Sequence, residues 1–487
     1  MREDAENQQQ EDLEVPAEGQ TEGESLADRN ASRSRTPQSE AFQKYIGSSW
    51  ADSADAPLEQ DQVAPFAHTR RERVADAFRG KLLVIEAGAA KTRSNDTEYR
   101  YRAHSAFSHL TGWGTHTVPD SVLVIDARTA QTESTLYFRP TAGRDTDEFF
   151  ANSAIGEFWV GARPGLTAVS SLLGIRTADL KDLEAALAKV PAEDQLSLTD
   201  DAFAEFVSEL RLVKDSYEIA QMRDAVAASV AGFENVVRNL ESASNHPRGE
   251  RIVEAAFFAE ARVRGNDLGY ETIAASGEHA CTLHWIVNDG PVRKGDLILL
   301  DAGVEVDSLY TADVTRTMPI DGKFSPVQRM IYEAVREAAD AAFAVAKPGV
   351  VYKEMHAAAM RVIATKAFEW GLLPDGVTAE QSLETDKQFH RRWMIHGTGH
   401  HLGLDVHDCA QARRDMYHDA VLQEGMILTI EPGLYFHKDD LLVPEEFRGI
   451  GVRIEDDVLI TKDGCENLTA ALPRSADDVE RWMAALR

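Results

Sequence analysis

Five side chains of metal-ligand type stand in the C-terminal half of this chain, and each occupies its own short segment. Asp301 ends the apolar run LILLDAG, and Asp313 lies in TADVTRT. His400 sits in the glycine-rich HGTGHHLGLDVHD, Glu431 at the exit of ILTIEPG, and Glu455 in VRIEDD. Any fold for this chain must bury the apolar runs and still find partners for the charges at their ends. Residues two apart on a strand share a face. Asp313, Thr315 and Thr317 therefore share one face of their segment, with Val314, Arg316 and Met318 on the other. Arg453 likewise shares a face with Glu455. A single acid at a strand end is most often a turn former or a helix cap. Five such residues in order form a set.

If the five meet in one pocket, four carboxylates face one imidazole, and buried charge of one sign must be neutralised. Two divalent cations do so. Hard oxygen donors with one imidazole suit Mn²⁺ or Co²⁺ better than a structural zinc site, which prefers Cys and His. Mn²⁺ is the expected ion, and Zn²⁺ is a tight-binding competitor. Arg453 beside Glu455 favours the ionised form that a ligand needs. Cys281, Cys409 and Cys465 show no paired spacing, so neither a disulfide framework nor a zinc knuckle is implied. GTGHHLG lacks the dinucleotide spacing, and no HExxH, Walker A or Gly-x-Ser-x-Gly motif is found.

The formal net charge of −30 disfavours nucleic acid and anionic membrane as partners. No apolar run approaches the ~18–20 residues of a membrane span. The N-terminus has no apolar signal segment, so the expected address is the cytoplasm. Residues 1–62 are acidic and poor in Ile, Val and Leu, which predicts a mobile tail with aromatic islands at residues 42–45 and Trp50 that could dock. Strand-like runs at 81–88, 121–127 and 134–140, with helical spacing at 178–190 and 199–213, predict a small α/β domain over 63–215. A long helix over 214–240 leads into a second domain, 216–472, of α+β class with mostly antiparallel sheet. In it, helices are expected over 325–346, with Ser325 as N-cap and Pro326 at the first position, and over 351–370. Residues 473–487 form a C-terminal extension.

These segments resemble the pita-bread metallopeptidases. DAGVEVDSLYTADVTRTMPIDGKFS, HGTGHHLGLDVHD, GMILTIEPGLYF and GVRIEDDVLIT resemble the branch that holds aminopeptidase P and prolidase, as does LRLVKDSYEIAQMRDA. AFSHLTGW and EFWVGARPG lean toward aminopeptidase P. The resemblance implies a creatinase-type N-terminal domain before a pita-bread domain. It implies that Asp301 holds one cation, that Asp313 and Glu455 bridge two, and that His400 and Glu431 complete the other. Glu431 would accept the proton of the attacking water, His407 would steady the oxyanion, and His284 would place the substrate. Arg453 would hold the ligand shell, with His396, Tyr435 and Tyr270 near the substrate. The implied activity is release of the N-terminal residue from peptides with proline second, by attack of a metal-bridging hydroxide. Prolidase, restricted to dipeptides, is the nearest alternative, and a non-catalytic module on the same fold is a remoter one. Relatives are dimers or tetramers, so a homo-oligomer is expected. His401 departs from the pattern, which has a large apolar or aromatic residue after the ligand histidine. His390, His418 and His437 are read as surface residues.

Overall fold

The computed structural model describes residues 36–37, 39–51, 55–95 and 97–487. The predicted mobile tail lies outside the described residues up to position 35. The chain packs as two units. One comprises the described residues of Met1–Ser53, Lys91–Arg100 and Thr141–Arg163; the other comprises Ala54–Ala90, Tyr101–Pro140 and Pro164–Arg487.

In the smaller unit a helix, Glu40–Ile46, is capped by the Ser39 hydroxyl, which accepts from Phe42 N. Phe42 meets Phe150 edge-on at 5.6 Å, and Trp50 meets Phe149 at 5.3 Å. The Arg144 guanidinium lies over the Trp50 ring. The aromatic islands expected at residues 42–45 and Trp50 thus dock through ring contacts, although Trp50 stays 45% exposed.

The larger unit begins with a five-stranded sheet in the order Arg176–Asp179, Glu133–Phe138, Val122–Asp126, Leu82–Glu86, Gln195–Ser197. The central three strands are antiparallel, and the outer two join in parallel. Leu83, Ile85, Leu123 and Ile125 pack with Phe107, Phe203 and Val207, while Leu82, Val122 and Val124 face Val190 on the other side. Burial on both faces explains the unbroken apolar runs. The helix expected over 178–190 is shorter than its pattern. Pairing with Glu133–Phe138 captures its start as strand, and the helix is confined to Leu183–Leu187.

Asp215 and Glu218 close a capping box that starts the long helix Ser216–Ser244. It packs on the helix Gly249–Arg264, with Phe233 edge-on to Phe257. Three strands follow in the order Val314–Pro319, Leu297–Ala302, Ile273–Ser276. A second group runs Ile427–Ile430, Asp456–Ile460, Cys465–Asn467, and Gly433–Phe436 pairs with Ile450–Arg453. Every pairing among these is antiparallel, as predicted. Helices Pro326–Val345 and Lys353–Glu369 cover them, the first with Ser325 as N-cap and Pro326 leading. The C-terminal extension is a helix, Ala476–Leu486, that buries Val479 and Met483 and pairs Asp477 and Glu480 with Arg329. Among the described residues, no helix is long and apolar enough to cross a membrane.

One buried cation ties these strands together. The Arg316 side chain is 1% exposed and pairs with Asp456, 0% exposed, at 2.6 Å. It also donates to the carbonyls of Thr315, Glu455, Leu472 and Pro473. Arg474 also pairs with Asp456, at 2.8 Å, so removing Arg316 leaves that carboxylate one cation short and orphans four carbonyls, at about 3–5 kcal/mol for a broken buried pair. Arg316→Met should lower unfolding stability by about that amount in a urea titration.

Candidate metal centre

The five residues converge on one cavity of about 580 Å³. Asp301 stands at a strand end paired with Thr315, and Asp313 immediately precedes that second strand. A Cβ at Gly303 would lie 1.7 Å from the Ala312 carbonyl, so only glycine lets the chain turn here and bring the two aspartates together. Asp313 N–H points at the Asp457 carboxyl, 3.3 Å from each oxygen. His400 comes from the glycine loop, which lies along the strand Ile427–Ile430. His400 N donates to Thr429 Oγ1, and Thr429 N donates to His400 O. A Cβ at Gly399 would sit 2.0 Å from the Thr429 carbonyl. Glu431 leaves the same strand, and its N–H donates to Thr398 O. Glu455 lies in the joint between Ile450–Arg453 and Asp456–Ile460.

A hydrogen-bond web fixes these groups. The Tyr270 hydroxyl sits 2.6 Å from Asp301 Oδ1 and 2.5 Å from Asp313 Oδ1. Arg453 donates to Asp301 Oδ2 (2.5 Å), Thr315 Oγ1 (3.1 Å) and the Tyr435 hydroxyl (3.0 Å). Thr315 in turn donates to Glu455 Oε2 (2.6 Å). His396 Nδ1 donates to Gly397 O, which leaves Nε2 to accept from the Tyr435 hydroxyl at 2.7 Å. His400 Nδ1 donates to His401 O. Its Nε2 is thus directed at Asp313 Oδ2 (3.2 Å) and Glu431 Oε1 (3.7 Å). Asp313, His400 and Glu455 each offer an atom within 4.8 Å of the others, a grouping that can hold a metal ion.

The charges do not balance with the chain's own groups. Burial, reinforced by Asp313 and Asp301, pushes Glu431 up to about 7 against the pull of His400 and Arg453. Burial and the neighbouring carboxylates hold Glu455 well above the usual range. Burial also raises Asp301, with Arg453 opposing. Burial alone would lower the His400 imidazole, but the Asp313 hydrogen bond and the charges of Asp313 and Glu431 raise it to about 9. Protons thus stand in for missing positive charge among hard oxygen donors, and divalent cations fit that donor set.

His284 and His407 line the same cavity, with the His407 ring 4.5 Å from that of His400. His401 faces away. It is fully buried, stacks on Tyr352 and meets Tyr417 edge-on, so it takes up the aromatic place that the pattern reserves. His390 is a correction: it is buried and bonded to Ser382 rather than on the surface. His418 is exposed at the cavity rim. The sequence placed Thr315 on the ligand face without showing that it joins Arg453 to Glu455. Nothing in the local pattern marked Asp457.

Residues 220–462 match metallopeptidase family M24, and residues 67–198 match the aminopeptidase P N-terminal domain. Xaa-Pro aminopeptidase 1 of Streptomyces coelicolor is 48% identical over 92% of this chain and 93% of that protein. The chain belongs to the aminopeptidase P branch of metallopeptidase family M24. The Xaa-Pro aminopeptidase of Escherichia coli is 32% identical over 87% of this chain and 98% of its own length. The solved structure described as Zn-substituted E. coli aminopeptidase P in complex with product is also similar. It has a TM-score of 0.76 and 30% identity over 88% of this chain and all of that one. The fold is therefore a pita-bread domain preceded by the aminopeptidase P N-terminal domain.

Protons and cations compete for these carboxylates, so metal uptake should release protons. Apparent Mn²⁺ affinity should fall steadily from pH 8 to pH 6, as Glu431 and its neighbours take up protons. Calorimetric titration in two buffers of different ionisation enthalpy measures both effects.

Proposed function

We propose that the chain releases the N-terminal residue from peptides whose second residue is proline. Asp301, Asp313, His400, Glu431 and Glu455 would hold two divalent cations, Mn²⁺ by preference. The observation that carries this reading is the convergence of the four carboxylates and the imidazole on one cavity, in the order that the family resemblance gives. When bound, such ions neutralise the carboxylates, polarise a carbonyl and lower the pKa of water.

The chain's own groups have distinct tasks. Glu431, whose carboxylate lies on the cavity wall beside His400, would take the proton of the attacking water. Burial and the nearby His400 lower the His407 imidazole, which keeps it neutral, and its N–H donates to the developing oxyanion. His284, which lines the same cavity, would place the peptide. Arg453 orients Asp301 and, through Thr315, Glu455, while Tyr270 spans Asp301 and Asp313. His396, with both ring nitrogens engaged and its pKa lowered to about 3 by burial and Arg453, offers a neutral ring face to the proline. Tyr435 keeps that ring in place. A bond before proline has no amide hydrogen, so a pocket that offers its nitrogen no acceptor favours it.

The same reading sets domain limits at 63–215 and 216–472, which the matched ranges support. It also makes the protein a cytoplasmic homo-oligomer acting on peptides rather than on nucleic acid or membrane, and the charge of −30 supports that exclusion.

With Mn²⁺, the protein should remove the first residue from Xaa-Pro-Yaa-Yaa peptides. Turnover of Xaa-Pro dipeptides alone would make it a prolidase. Asp313→Ala and Glu455→Ala should lose both metal and turnover. His407→Ala should keep its metal, by elemental analysis, and lose about 10²–10³ in kcat.

A further inference from the structure

We propose that Glu250 is a positioning residue for the segment that carries His284, and that it affects catalysis through that histidine. The inference rests on the aminopeptidase reading above. Glu250 lies in the first turn of the helix Gly249–Arg264 and is fully buried. Its carboxylate receives four hydrogen bonds, two on each oxygen. Oε1 accepts from Ser276 N and from His279 Nδ1, both at 2.8 Å. Oε2 accepts from the Trp285 indole at 3.0 Å and from Gly290 N at 2.7 Å. Glu250 N–H donates in return to Gly290 O.

These contacts bracket residues 276–290, which leave the strand Ile273–Ser276 and bring His284 and Ile286 to the cavity wall. The His279 ring stacks on the Trp285 indole at 3.9 Å, so the two side chains that Glu250 holds also brace each other. Asn288, fully buried, fixes the far end by accepting from Ala274 N and donating to Thr272 O. His284 stands on an exposed turn between these anchors, outside any strand or helix. A side chain on such a segment is placed only as well as the buried groups that hold it. Every partner of Glu250 is a donor, and only a carboxylate has acceptor lone pairs on both atoms. Glutamine keeps the shape but turns an NH₂ toward two of the four.

The test compares full-length wild type, Glu250→Gln, His284→Ala and the double variant. Each is loaded with Mn²⁺ and assayed on an Xaa-Pro-Yaa-Yaa peptide, with metal analysis and hydrogen–deuterium exchange. Glu250→Gln should keep wild-type metal content, lose about tenfold in kcat/KM and speed amide exchange over 277–290. In the His284→Ala background it should cost less than about twofold, because residues acting through one group are not additive. An equal loss in both backgrounds, or unchanged exchange over 277–290, would overturn the proposal. Should Glu250→Gln fail to fold, Trp285→Phe removes one donor and keeps the ring. It should lose about threefold only where His284 is present, and no loss would be equally fatal. If wild type cleaved no proline peptide, the functional reading would fall, and the exchange comparison, which needs no turnover, would still judge the anchoring.

Discussion

Carboxylates gathered in one buried place repel one another and resist desolvation, and the rest of this structure answers that constraint. Arg453 is the one guanidinium within hydrogen-bond reach of Asp301 among the described residues, and it spends its other donors on Thr315 and Tyr435. Thr315 passes the restraint on to Glu455, and Tyr270 spans the two aspartates. Asp301, Asp313 and Glu455 are thereby held in place without being fully neutralised. That residual imbalance gives the cavity its appetite for cations.

Apart from Arg453, the buried cations around the cavity are paired away from it. Arg316 is buried in the same sheet but on the opposite face, where it serves Asp456 and four backbone carbonyls. The loop carrying His407 is held from behind by a second buried pair, Lys214 with Asp408 at 3.2 Å, both almost fully enclosed. Arg211 bonds to Asp405, and Arg102 to the Leu404 carbonyl and to Glu305. Segments far apart in the chain thus fix the wall of the site, and their charges are consumed before they reach it.

Much of this was legible in advance, for local reasons. The Ser325 cap is read from adjacent residues because its side-chain oxygen reaches the amide three residues on; the Asp215 cap has the same local cause, yet the helix is read as starting at 214. Alternation in TADVTRT put Thr315 beside Asp313 for an equally local reason. The pattern over 178–190 misled because pairing with Glu133–Phe138 overrode helical spacing, and residues 40–50 are ordered by aromatic contacts with residues 149 and 150. His390 could not be placed, since its burial depends on Ser382 and on packing that no periodicity announces.

The sequence by itself marked the candidate ligand groups, because ligand-type side chains at strand exits and beside obligatory glycines are marked by their immediate neighbours. It likewise determined the class of fold, through apolar runs and caps that act over a few residues. Only the tertiary structure decided where the His401 ring goes, how Thr315 and Tyr270 connect the acids, and that Glu250 gathers four donors around the His284 turn. Those outcomes rest on distances between residues tens to more than a hundred positions apart, and through-space electrostatics and hydrogen bonding leave no imprint on local sequence until the chain has closed on itself.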